Sequence, residues 1–363
     1  MINVTKTFLP PFEEYTTQLK RAWDKAWITN NGELAHELEE LLKKYLNLDH
    51  LLYAANGTIV LQLALKALEI TGEVITTPFS YVATTTALLW ENCTPVFVDI
   101  NDRNFCIDEN KIEAAITPKT QAILATHVYG HPCNIAAIEK IASKHRLKVI
   151  YDAAHAFGTQ YNGNSVFNYG DVSTCSFHAT KVFHTGEGGC MVAKDPVIAE
   201  KLMLYRQFGH IGEDYYTMGI NAKNSEMHAA MGLCNLKYID DILLKRKQVW
   251  EHYAESLKNH DLQILEIDGN VSYNYAYFPV VFTCEEQLLE AVTDLNAKGI
   301  IPRRYFNPSL NKLPYVDYAP CPVAESIASR VLCLPLFYEL ATEDQDKIIN
   351  SIVNTKSIAK KCA

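Results

Sequence analysis

A lysine just past the end of an apolar run is the residue whose type and setting point most directly to chemistry. Ser176-Phe-His-Ala-Thr-Lys181 ends such a run, and Val-Phe-His-Thr-Gly-Glu-Gly-Gly189 leads through a glycine-rich turn into the next. An amine tucked beside a sheet edge loses hydration, which lowers its pKa and exposes a neutral nucleophile able to form a Schiff base with a carbonyl. A second group, Asp152, closes the run Val149-Ile-Tyr-Asp152 and is followed by Ala-Ala-His155. A carboxylate at a strand's carboxyl end is costly to desolvate unless it meets a cation or good donors, and a protonated pyridinium nitrogen is one such partner. The third group is Asn56-Gly57-Thr58, which opens an amphipathic helical stretch. Free N–H groups at a helix start, with a threonine hydroxyl beside them, make a cradle for phosphate. Each piece alone also has a plainer role. Lys181 fits an exposed loop, Asp152 and Asn56 fit helix caps, and His155 fits a packed core histidine.

The elements that must carry these groups are legible from periodicity. Apolar β-type runs at Val74–Thr77, Pro95–Asp99, Ala122–Thr126, Lys148–Asp152, Val172–Phe177 and Gly189–Val192 alternate with helical patterns at Ile59–Ile70, Val82–Trp90 and Ile135–His145. Strands separated by helices predict an α/β fold: a large domain whose mostly parallel sheet is flanked by helices on both faces. Such sheets bind ligands beyond the carboxyl ends of their strands, where Asp152 and Lys181 fall. A single long helix is expected from about Ser225 into the 250s. Beyond it, Tyr277–Phe282 and Val331–Leu334 read as strands, and Glu285–Lys298 and Thr342–Ile352 as helices. That pattern predicts a smaller C-terminal α+β domain, dividing the chain at 1–245 and 246–363.

Composition narrows the field. The 363 residues carry 33 Lys+Arg against 42 Asp+Glu, a formal charge of −9, which disfavours a general nucleic-acid surface but leaves room for a local anion pocket. Ten scattered cysteines contain no C-x-x-C pair, so neither structural zinc nor a disulfide framework is expected, and no metal site is assigned. The start of the chain lacks a basic and an apolar signal region, and no apolar run approaches the ~20 residues of a membrane span. The expectation is a soluble, reduced, cytoplasmic protein with no membrane partner. Neither G-x-x-x-x-G-K-[ST] nor G-x-G-x-x-G occurs in place, which argues against P-loop and nicotinamide-dinucleotide chemistry.

A phosphate cradle, an acid for a ring nitrogen and an amine for an aldehyde are together the demands of pyridoxal 5′-phosphate. In order and spacing, Asn56-Gly-Thr58, Thr77-Pro-Phe-Ser-Tyr-Val-Ala-Thr84, Thr126-His-Val-Tyr-Gly130, Asp152-Ala-Ala-His155, Ser176-Phe-His-Ala-Thr-Lys181, Thr185-Gly-Glu-Gly-Gly189 and Gly219-Ile-Asn221 resemble the DegT/StrS sugar aminotransferases. That family is a branch of the fold-type I pyridoxal-phosphate enzymes, with the aspartate aminotransferase-like architecture. The resemblance implies that Lys181 is the Schiff-base lysine and proton-transfer catalyst, and that Asp152 keeps the pyridine nitrogen protonated. It implies that Gly57, Thr58 and Ser176 hold the phosphate, that Tyr81 stacks on the ring, and that His155 stands beside Asp152. It further implies that Asn221 reaches the cofactor phosphate of a neighbouring subunit, making a homodimer with shared active sites.

The reaction implied is transfer of an amino group from L-glutamate to a nucleotide-linked ketosugar. Lys181 is in place, so the family's dehydratase branch, which has histidine there, is not indicated. Gly299-Ile-Ile-Pro-Arg303-Arg-Tyr-Phe-Asn-Pro-Ser309 departs from the His-Tyr-x-Pro pattern of many relatives, having Tyr305-Phe306 instead. This variant resembles that of enzymes aminating C4 of dTDP-4-dehydro-6-deoxy-D-glucose for O-antigen and related sugars; a 3-keto or GDP-linked sugar is the alternative. Arg303 and Arg304 are expected to grip a diphosphate or carboxylate, with Tyr305 beside them. Thr29 and Asn30, in Trp27-Ile-Thr-Asn-Asn-Gly32, match a loop near the sugar. A non-catalytic regulatory member of the same fold is the remaining possibility, though it would be expected to have lost Lys181 or Asp152.

Overall fold

A computed structural model describes residues 1–354. Its main sheet has seven strands: β1 (Leu51–Ala54), β2 (Glu73–Thr76), β3 (Thr94–Phe97), β4 (Thr120–Thr126), β5 (Lys148–Asp152), β6 (Val172–Ser176) and β7 (Gly189–Ala193). Their spatial order is β1-β7-β6-β5-β4-β2-β3. All pairs are parallel except those of β7, which runs antiparallel to both β1 and β6. Helices on both faces explain why the central strands are apolar throughout rather than alternating, as in the wholly buried Ala122–Thr126 of β4. The helix Gly57–Ala67 buries Val60, Leu61, Leu63, Ala64, Leu65 and Ala67 against one face, beside the helix Val82–Trp90.

Two features differ from the sequence expectation. β1, Leu51–Ala54, was not among the strands expected. The long helix is two helices, Glu226–Leu236 and Ile239–Leu257, broken at Lys237–Tyr238. There the backbone tightens, with Lys237 N–H donating to Cys234 O (3.2 Å) and Tyr238 N–H to Asn235 O (3.0 Å). The Tyr238 hydroxyl donates to Glu14, and Asp240 and Asp241 supply negative charge at the N-terminal turn of the second helix.

The second helix runs into the C-terminal part, where β8 (Gln263–Ile264), β9 (Phe278–Val281) and β10 (Val331–Leu334) form an antiparallel sheet in the order β8-β9-β10. Val249, Tyr253 and Leu257 of that helix pack with Phe278, Val280, Leu332 and Leu334 in one core. The start of the chain joins this part: Ile2–Asn3 pairs in parallel with Ile300–Ile301. Among the described residues, eight cysteines are free and buried. Among the described residues no helix is long and apolar enough to cross a membrane.

Candidate active site

A cavity of about 290 Å³ opens at the carboxyl ends of β5 and β6. Its wall includes Asn56, Gly57, Thr58, Tyr81, Asp152, His155, Ser176 and Lys181 from the main sheet's side, closed by Tyr277, Arg303, Tyr305 and Phe306 from the C-terminal part. Seven of the thirteen residues singled out from the sequence for the cofactor and substrate are therefore on its cofactor side, and two more on its far side.

Asp152 is the last residue of β5, in register with Thr126 of β4 and Thr174 of β6, and is buried. Its Oδ2 accepts from Thr84 Oγ1 at 2.6 Å and its Oδ1 from Ala154 N–H at 3.1 Å. Thr84 is itself 2.5 Å from Ser80 Oγ, which accepts from Thr126 Oγ1 at 3.3 Å. Burial pushes the Asp152 carboxyl above its usual range, against the opposing pull of these donors and of the Lys181 charge. Two neutral donors and no ion pair among the described residues leave this carboxylate short of a cation.

Lys181 stands in a turn closed by Lys181 N–H to His178 O (2.9 Å), Ala179 N–H to Gly186 O (2.8 Å) and Thr185 N–H to Phe177 O (2.9 Å). Burial lowers its amine pKa, opposed by the negative charge of Asp152. The two groups thus answer one another across the cavity, each driven by burial towards its neutral form.

The helix start and the strand end meet closely. A Cβ on Gly57 would lie 2.6 Å from Ser176 Cβ, and one on Gly189 would lie 2.8 Å from the Asn56 carbonyl carbon, so both positions need glycine. Asn56 Oδ1 caps the helix, accepting from Thr58 N–H at 3.0 Å and Ile59 N–H at 2.9 Å. Cap and cradle are therefore compatible. The Thr58 and Ser176 hydroxyls face the same cavity and donate no hydrogen bond among the described residues. Spare hydroxyl donors, a cation-hungry acid and a desolvated amine on one wall fit a phosphorylated pyridine aldehyde. His155, also buried, adds an Nδ1 with no partner.

Not every expected residue joins them. Arg304 is turned out of the cavity: its Nη2 binds Glu285 Oε1 at 2.6 Å and Ser329 O at 2.8 Å, which corrects the expectation of a paired arginine grip. Arg303 alone lines the cavity, its guanidinium 5.2 Å from the Tyr305 ring centroid. Neighbouring residues of an extended chain point to opposite sides, and Arg303 is held in such a segment by a bridge to Cys333. Thr29, Asn30 and Asn221 are exposed and lie outside this chain's own cavity. Asn221 Oδ1 accepts from Lys223 Nζ at 2.8 Å. Thr84, Tyr277 and Phe306 were given no role from the sequence. The hydroxyl chain that runs through Thr84 to Asp152 joins three separate segments of the sequence.

Fold and site together define an α/β enzyme of the aspartate aminotransferase-like class, with its amine and acid at the carboxyl edge of a mostly parallel sheet. The chain belongs to the DegT/DnrJ/EryC1/StrS aminotransferase family, whose profile matches residues 12–353. It is 41% identical, over 98% of its length and 99% of the relative's, to dTDP-4-amino-4,6-dideoxy-D-glucose transaminase of Shigella dysenteriae. It is 32% identical to GDP-perosamine synthase of Escherichia coli O157:H7, over 91% of this chain and 92% of that one. Among solved structures, DesI in the presence of its TDP-sugar product superposes with a TM-score of 0.90 at 32% identity, covering 96% of this chain and 91% of DesI.

Proposed function

We propose that this chain is a pyridoxal 5′-phosphate-dependent aminotransferase that moves the amino group of L-glutamate to C4 of dTDP-4-dehydro-6-deoxy-D-glucose. The products are 2-oxoglutarate and dTDP-4-amino-4,6-dideoxy-D-glucose, a building block for O-antigen or a related polysaccharide, made in the cytoplasm. The observation that carries this reading is the full-length 41% identity to a transaminase named for that sugar, together with Lys181 and Asp152 facing one cavity.

The cofactor, when bound, supplies an electron sink for the carbanion formed at the donor's α-carbon. The rest falls to the chain. Lys181 Nζ, its pKa lowered by burial, would hold the aldehyde carbon of the bound cofactor and, once freed by the incoming amine, would take up and return the proton at the substrate carbon. Asp152 Oδ2, oriented by Thr84, keeps a proton on the ring nitrogen. Gly57, Thr58 and Ser176 would hold the phosphate, with Tyr81 and His155 beside the ring. Arg303 and Tyr305 receive the substrate's anionic groups from the C-terminal domain, taken as 246–363.

Thr29, Asn30 and Asn221 complete the site from a second copy. They are exposed beside Trp27, Phe208, Tyr216 and Met218, an apolar surface suited to a homodimer with shared active sites.

The test is direct. The purified protein should absorb in the near-visible with added cofactor, and borohydride should attach that cofactor covalently to Lys181. L-Glutamate should bleach the band, and mass spectrometry should find the amino sugar when the dTDP-4-keto sugar is supplied. A protein that takes up no cofactor would overturn the proposal; turnover of only a GDP-linked or 3-keto sugar would move the substrate to the alternative, which the GDP-perosamine synthase similarity favours next.

A further inference from the structure

Among the described residues, His155 has no side-chain hydrogen bond to fix its ring. Its Nδ1 is enclosed without a partner, and its Nε2 makes no hydrogen bond among the described residues. What surrounds the imidazole is a set of rings from elsewhere in the chain. Phe306 stacks on it, with centroids 5.6 Å apart and planes 9° from parallel. Tyr129 also stacks with Phe306, with centroids 5.7 Å apart and planes 12° from parallel. Phe79 meets Phe306 edge-on at 5.7 Å, and Tyr277 meets the imidazole at 5.0 Å and 68°. The Tyr129 hydroxyl donates to the Tyr305 carbonyl, tying the Phe306 backbone to the same column. Asn274 Nδ2 holds the His155 carbonyl at 2.7 Å, so the residue's backbone is anchored while its ring depends on aromatic contacts.

We propose that Phe306 is a positioning residue: held between Tyr129 and His155, its ring sets the plane of the imidazole against the cavity. The C-terminal part of the chain thereby controls the orientation of a cofactor-facing group carried on the main sheet. The proposal rests on the aminotransferase reading for the meaning of that orientation, but the stack itself does not depend on it. The charged and titratable groups around His155 are Lys181, Asp152, Tyr277 and, through the stack, Tyr129 and Tyr305. Burial, with the Lys181 charge adding to it, holds the imidazole well below its ordinary range and therefore neutral.

Histidine NMR of the cofactor-free protein tests this, with His155→Gln identifying the signal among the 12 histidines. Wild-type His155 should show no titration between about pH 5 and 8. In Phe306→Ala, water reaches the ring and the midpoint should rise from its wild-type position. Phe306→Leu keeps apolar volume but loses the plane, so its His155 signals should broaden or shift, even where the alanine variant fails to fold. Phe306→Tyr, which retains a stacking ring, should restore the wild-type pattern. In the loaded enzyme, Phe306→Leu should lower kcat about 10-fold while the KM for glutamate changes less than about 2-fold. An imidazole that behaves as wild type in both the alanine and leucine variants would overturn the proposal. A protein that takes up no cofactor yet shows the expected NMR pattern would instead overturn the aminotransferase reading alone.

Discussion

At the floor of the cavity, Asp152, Thr84, Ser80 and Thr126 are buried and linked to one another by hydrogen bonds, and the Lys181 turn is closed by three backbone bonds. Around the outer rim, Thr29, Asn30 and Asn221 stand in solvent near large apolar side chains, Met218 being 80% exposed. The floor is complete within one chain, whereas the rim has the composition of a surface that expects to be covered. The difference teaches where chemistry and assembly are separately encoded. Groups whose protonation matters are buried, whereas those proposed to meet a second copy are exposed.

Four measurements break or sharpen this contrast. The largest effect is expected from Lys181→Ala, which should lower turnover at least about 10³-fold by removing the amine. Its thermal melt should change little, because a loop side chain contributes little core area; substantial residual turnover would mean the floor's central assignment is wrong. Asp152→Asn follows, with turnover down about 10²-fold. The folded carboxyl keeps its proton to higher pH than the unfolded one, so ionising it in the cofactor-free protein lowers stability as pH rises through that window. The asparagine variant should therefore lose that decline and melt at least as high as wild type near neutral pH.

The rim is tested by complementation. Lys181→Ala and Asn221→Asp chains, each weak alone, should regain roughly a quarter of wild-type sites when mixed and allowed to exchange, since half of the dimers are mixed and each has one intact site. No recovery after verified exchange would show that Asn221 acts within its own subunit or not at all. The smallest contrast separates two neighbours. Arg303→Ala should raise substrate KM about 10-fold, while Arg304→Ala should leave KM within about 2-fold and cost no more than about 1 kcal/mol, because its Glu285 partner is partly exposed. Steady-state kinetics and a melting curve distinguish them.

How much of this could be read beforehand depended on whether the information was local. The strands ending at Asp152 and Ser176, and the turn carrying Lys181, announced themselves as apolar runs broken by polar residues. The fate of Arg304 did not, because two adjacent arginines look alike until the backbone's alternation sends them to opposite sides. The break at Tyr238 was hidden in residues compatible with a continuous helix, and it became visible only with the Glu14 contact from a remote segment. The ring column through Tyr129, Phe306 and His155 joins three segments far apart in sequence, so no periodicity could have disclosed it.

The pairing of Ile2–Asn3 with Ile300–Ile301 has a consequence for how the molecule is made. At synthesis rates of about 5–20 residues per second, the early strand leaves the ribosome some tens of seconds before its partner exists. Through that interval the main sheet, from Leu51 to Ala193, has already emerged and can condense, while the leading segment waits with its backbone unpaired. The pairing thus acts as a clasp, fastening a segment made early in synthesis to one made much later.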